Sequence, residues 1–120
     1  MADFIEKEID KIGEMLLGLM ERLGVVGQKG GQKIDHSKIN AEMQHLRLNL
    51  DVEKLLDQPM AVKYLVEEIG LSDMALESFA NLMYHSDCDE QKVQKFIRDV
   101  IAFLESHGYY SFLLRSIPLK

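Results

Sequence analysis

The densest group of side chains able to do chemistry is His85-Ser-Asp87-Cys88-Asp89-Glu90. A histidine flanked by carboxylates could hold a divalent metal. The spacing lacks the second Cys or His pair of a zinc site. It also lacks the alternating acids, glycine and distal Glu of a calcium loop. Helix capping accounts for the same residues, because Asp87 and Glu90 have capping-box spacing and acids favour a helix N-terminus. His85, Asp87, Cys88 and Asp89 are thus the metal candidates, with capping the preferred reading. Cys88 at a helix start could ionise and act as a nucleophile, with His85 three residues away as its base. Asp87, Asp89 and Glu90 disfavour a thiolate there, so Cys88 reads as a spectator.

Near the C-terminus, Tyr109, Tyr110, Phe112 and Arg115 form an aromatic-plus-arginine group. Such groups are favoured in interfaces, and equally cap the open end of a helical core. His36 and His107 flank expected helix ends, and His107 is placed to serve a C-terminal dipole. The stretch Gly24-Val-Val-Gly-Gln-Lys-Gly-Gly-Gln-Lys33 invites a phosphate-cradle reading. No Gly-x-x-x-x-Gly-Lys-Ser/Thr can be placed in it, no Gly-x-Gly occurs and no strand leads in. It reads as a flexible hinge, a linker over residues 24–34.

The elements that must position these residues are helical. In Glu90 to His107, Val93, Phe96, Ile97, Val100, Ile101, Phe103 and Leu104 make a wide apolar face at helical period. Asp87 or Asp89 is its candidate N-cap and Gly108 its candidate C′ residue. This run is the expected central helix. Residues 3–23 form a second long pattern: Ile5, Ile9, Ile12, Leu16, Leu19 and Leu23 are spaced four, three, four, three, four. That is an a/d seam, the period of helices packing at a shallow angle. Ile39, Met43, Leu46 and Leu50 give a helix from Asp35–Ser37 to about Leu48, with His45 off the stripe and solvated. A helical turn follows at Val52 to Leu56. Pro59 suits the first turn of a helix running to Gly70. Leu71 and Leu76 can staple the start of the next helix around Ser72. Tyr110 to Ser116 gives a last short helix that Pro118 stops. No alternating strand pattern occurs.

The 120 residues suit one domain that needs no disulfide or metal. The single cysteine fits a reducing compartment. The N-terminal residues are acidic and periodic, unlike a secretory signal, and no run is long enough to span a membrane. The net charge of −6 argues against nucleic-acid and anionic-membrane binding. Charge is uneven: residues 1–23 hold six acids and three bases, 35–91 twelve and four, and 92–120 two and five. The acidic middle and basic end read as mutually attracting parts of one domain, with an acidic partner as the sharper alternative.

Leu76, Phe79-Ala-Asn-Leu-Met-Tyr84, a polar turn, Val93, Phe103-Leu-Glu105 and Tyr110-Ser-Phe112 with Arg115 resemble small bacterial proteins of unknown function with a tetratricopeptide-like helical core. The resemblance implies an N-terminal amphipathic helix, a set of helical hairpins and a protein-binding surface, and no activity. The expectation is an all-α fold, a small bundle or tetratricopeptide-like array of antiparallel hairpins, with residues 1–23 as an amphipathic helix, 24–34 as linker and 35–120 as the helical domain. The leading function is a cytoplasmic, non-enzymatic interaction or scaffolding module that forms a homo-oligomer through residues 4–23 and binds no cofactor. The alternatives are a small-ligand-binding or regulatory domain, and a metal-dependent protein centred on residues 85–90.

Overall fold

The computed structural model describes residues 18, 33–45, 47, 48 and 50–119. The predicted helix of residues 3–23, with Ile5, Ile9, Ile12, Leu16, Leu19 and Leu23, lies outside the described residues except for Gly18. The glycine-rich part of the linker also lies outside them. Among the described residues the fold is all-α, with no strand. Its helices are α1 (His36–His45), α2 (Val52–Asp57), α3 (Ala61–Lys63, continuing as a π-helical segment, Tyr64–Ile69), α4 (Asp73–Tyr84), α5 (Glu90–Ser106) and α6 (Phe112–Arg115).

Helix α5 is central because its buried apolar residues span an arc of roughly 140° at 100° per residue, wide enough to be packed from two sides. Val93, Phe96, Ile97, Val100, Ile101 and Leu104 are all buried, and α2, α3, α4 and α6 each pack on it. Helix α4 meets it along Ala75, Leu76, Phe79, Ala80, Leu82 and Met83, all buried. The Phe79 and Phe96 rings meet edge-to-face at 5.9 Å, the geometry the aromatic quadrupole favours.

The helix ends follow local chemistry. Asp89 caps α5, its carboxylate accepting from Lys92 N–H at 3.1 Å. At the other end Gly108 sits at φ +90°. Its N–H donates to Glu105 O and that of Tyr109 to Leu104 O, the paired bonds of a Schellman stop. Ser72 caps α4 through Ala75 N–H, with Leu71 and Leu76 buried on either side as a staple. Helix α1 ends three residues before the expected Leu48. Arg47 takes the left-handed position at φ +61° and Leu48 N–H turns back to Met43 O. Pro59 also lies outside its expected helix. The first α3 bond runs from Tyr64 N–H to Met60 O, which leaves Pro59 in the preceding turn. The π-helical segment was not expected: Gly70 N–H bonds Leu65 O, five residues back, and Leu71 N–H bonds the same oxygen. One carbonyl thus stops the helix, with Gly70 at φ +86°.

Candidate functional site

Ile34 decides where the first cluster forms. It is the last residue of the expected linker, yet it is buried. Its N–H donates to His85 O and its carbonyl accepts from Asp87 N–H, both at 2.8 Å. This two-bond bridge fastens the entry of the chain to the α4–α5 turn. Lys33 adds a bond from Nζ to Tyr84 O at 3.2 Å, with its ammonium 5.1 Å from the Tyr84 ring.

The bridge brings His36 onto Asp87. The backbone N–H of His36 donates to Asp87 Oδ1 at 2.9 Å, and its Nδ1 lies 2.9 Å from the same oxygen. On the other side of the ring, Nε2 lies 2.8 Å from Glu53 Oε1. Asp35 Oδ1 is 3.9 Å from Nδ1 and caps α1 by accepting from Ser37 N–H. The hydrogen bond to Asp87 raises the His36 pKa above its usual value. Desolvation opposes this, and the Glu53, Asp87 and Asp35 charges add to it. For Asp87, desolvation pushes upward but the His36 ring and N–H hold the carboxyl below the usual range.

The expected ligand set is therefore divided. Asp87 caps α1 from across the fold, so it forms no capping box with Glu90. Asp89 is the α5 cap. His85 packs against Tyr84 with ring centroids 5.0 Å apart, and burial followed by the Lys33 charge lowers its pKa. Cys88 is half-buried, and burial raises its thiol pKa. The Ser86 hydroxyl opposes that, while Asp87, Glu53 and Asp51 add to it, which suits a spectator thiol. Among the described residues, the group whose ligand atoms do converge is Asp35, His36 and Asp87, all within 4.8 Å of one another. Sequence spacing hid it because His36 and Asp87 are 51 residues apart; the buried Ile34 with its two backbone bonds holds the two segments side by side.

Cys88 also lines a cavity of about 460 Å³ together with Lys33, Tyr84, Ser86, Gln94 and Leu119. Its residues come from both sides of the entry bridge and from the C-terminal tail.

The C-terminal group splits into two roles. Tyr109 is half-buried and donates its hydroxyl to Glu77 Oε1 at 3.2 Å; burial and then the Glu77 charge raise its pKa. Ser111, fully buried, donates to Glu77 Oε2 and accepts Leu114 N–H at 3.0 Å. These bonds fasten α6 to α4. Tyr110 and Phe112 instead face outward, 56% and 79% exposed, with ring centroids 4.8 Å apart. The Arg115 guanidinium lies 6.0 Å from the Tyr110 ring and is clamped on Glu105 by two bonds, 2.8 and 2.6 Å. His107 reaches past its own helix end to Asp73 of α4 at 2.9 Å.

The remaining feature is an open groove of about 500 Å³ between α3 and α5. Met60, Val62, Val66 and Phe103 form its apolar floor, and Lys63, Glu67, Lys95 and Asp99 stand on its rims. Lys63 lies 4.0 Å from Glu67, and Lys95 lies 3.0 Å from Asp99. Met60 is 57% exposed. The sequence pattern missed this surface because its apolar residues come from two separate stretches, Met60, Val62 and Val66 at α3 and Phe103 on α5, which local spacing does not bring together. No helix among the described residues is long and apolar enough to cross a membrane. Comparison with protein-family models, with curated proteins and with solved structures found no match to this chain.

Proposed function

We propose that the chain is a non-enzymatic, cytoplasmic protein-interaction module that self-associates through residues 4–23, its helices arranged as hairpins of the tetratricopeptide-like kind. The observation that supports this best is the open groove with an apolar floor and charged rims. Contiguous apolar surface ringed by charge marks interaction sites, and a groove between two helices is a common receptor for an amphipathic helix. The a/d seam in residues 3–23 is such a helix in sequence terms. The test is solution mass by light scattering on the full chain and on Ile12→Asp/Leu16→Asp. The expected result is a dimer or larger assembly for the parent and a monomer with unchanged circular dichroism for the variant. A monomeric parent across the accessible concentration range overturns the proposal.

Two other readings each have one supporting observation. The 460 Å³ cavity beside Cys88 is large enough for a small ligand, and a melting shift in a metabolite screen would favour that reading. The convergence of Asp35, His36 and Asp87 favours a metal. Elemental analysis checks it: stoichiometric metal lost in His36→Ala supports the reading, and its absence removes it.

A further inference from the structure

We propose that the groove between α3 and α5 is the seat for residues 3–23 of a second copy of the chain. This rests on the self-association reading and names its receiving surface.

The groove has the shape of a helix receptor. On one wall Val62 and Val66 are four residues apart; on the other Lys95, Asp99 and Phe103 repeat at four. Rows at that spacing form the ridges between which another helix packs. The α5 wall rises about 12 Å from Lys95 to Phe103, a little over two turns. Ile12, Leu16 and Leu19, spaced four and three, present an apolar stripe of similar length.

The charges that line the groove cancel in pairs, Lys63 with Glu67 and Lys95 with Asp99, so the seat takes its occupant through apolar contact with Met60, Val62, Val66 and Phe103.

The direction of the tether selects a second copy. Lys33 and Ile34 are held at the α4–α5 turn. There Lys33 shares a cavity with Glu90, Val93 and Gln94 of α5. Those three and the groove residues Lys95, Asp99 and Phe103 lie roughly 170° apart around α5, at 100° per residue. The chain therefore enters on the far side of α5 from its own groove. A reciprocal exchange places each segment in the other copy's groove without wrapping α5.

The experiment uses full-length chains. One variant, Met60→Asp/Val66→Glu, charges the groove floor at an exposed and a half-exposed position; the other, Ile12→Asp/Leu16→Asp, charges the segment. Light scattering and sedimentation are run on each and on an equimolar mixture, with circular dichroism confirming helicity. The expected result is at least roughly 100-fold weaker self-association for each variant alone and a heterodimer in the mixture, where one intact segment meets one intact groove. A groove variant that dimerises like the parent, while the segment variant does not, shows that the segments pair with each other. That result overturns the seat and leaves self-association standing. A monomeric parent overturns both. A groove variant that loses its helicity is replaced by Met60→Asp alone, and dimerisation of that variant at parental strength overturns the seat.

Discussion

The substitution Ser111→Ala tests whether α6 is held by the Glu77 network. Ser111 is 1% exposed. Its hydroxyl donates to Glu77 Oε2 and accepts Leu114 N–H, so one oxygen serves both as cap of α6 and as partner of a carboxylate. Losing a serine N-cap costs about 1 kcal/mol. Losing a hydrogen bond to a charged group costs about 1.5–3 kcal/mol. The two share an atom, so they do not add fully, and the expected loss is about 2–3 kcal/mol. For a domain of this size that lowers Tm by roughly 8–15 °C. The buried Leu114 side chain then loses its support. Thermal and urea unfolding should show the loss for Ser111→Ala and a smaller one, about 1 kcal/mol, for Tyr109→Phe. Tyr110→Ala, at an exposed ring, should stay within about 0.5 kcal/mol of the parent. A Ser111→Ala melt within about 0.5 kcal/mol of the parent would falsify the network argument, and the assignment of Tyr109 to structure rather than interface would go with it.

Three further outcomes are expected from backbone conformation, core packing and the His36 cluster. Arg47 and Gly108 both occupy left-handed backbone, at φ +61° and +90°. Arg47→Gly should therefore stabilise by about 0.5–1 kcal/mol and Gly108→Ala destabilise by about 1 kcal/mol in urea titrations; equal signs for the two would defeat the reasoning. Ile97, fully buried at the middle of α5, should lose about 3–4 kcal/mol as Ile97→Ala, measured by denaturant midpoint at constant m. His36 makes stability pH-dependent. Its folded pKa is raised, so its contribution is complete below the unfolded value of about 6.5 and fades as pH rises through the folded value. Asp87, held low, contributes above about pH 3.9 and loses that contribution as pH falls through its folded value. The pair is thus strongest between these limits. The lowered His85 works with the opposite sign, so the informative quantity is the difference between parent and His36→Gln. That Tm difference should be larger at pH 6 than at pH 8.5, and a pH-independent difference rejects the role given to His36.

The fold was legible where a single chemical preference acts over a few residues. The α5 face, the Asp89 and Ser72 caps, the Leu71–Leu76 staple and the Gly108 stop each depend on neighbours within about five positions. The π-helical end of α3 escaped because nothing in Tyr64–Ile69 separates a bond five residues back from one four back. Arg47 escaped because arginine is a poor advertisement for left-handed backbone. The candidate site was less legible still. The acidic turn drew attention for its composition, but its chemistry is set by His36, a residue 51 positions away that local spacing cannot bring near. Tyr109 and Tyr110 show the same limit at one-residue resolution: adjacent and identical, one donates to Glu77 and the other is 56% exposed.

Ile34 links the two ends of the argument. A lone apolar residue between a glycine-rich stretch and an acidic helix start carries no periodic signal, yet its burial fixes three things together. It aligns two backbone hydrogen bonds with the α4–α5 turn, it sets His36 between Asp87 and Glu53, and it fixes the side of α5 from which the N-terminal residues enter. Replacing Ile34 by aspartate should remove apolar burial and place a fourth carboxylate beside Asp35, Glu53 and Asp87. The cost is about 2–4 kcal/mol from lost burial and an unpaired charge. Because the bridge and the His36 cluster are one unit, combining Ile34→Asp with His36→Gln should cost less than the sum of the two singles. A double-mutant cycle by urea unfolding measures this directly. Additive losses would mean that entry bridge and histidine cluster are independent, and the α5 side chosen by the N-terminal segment would then need another cause.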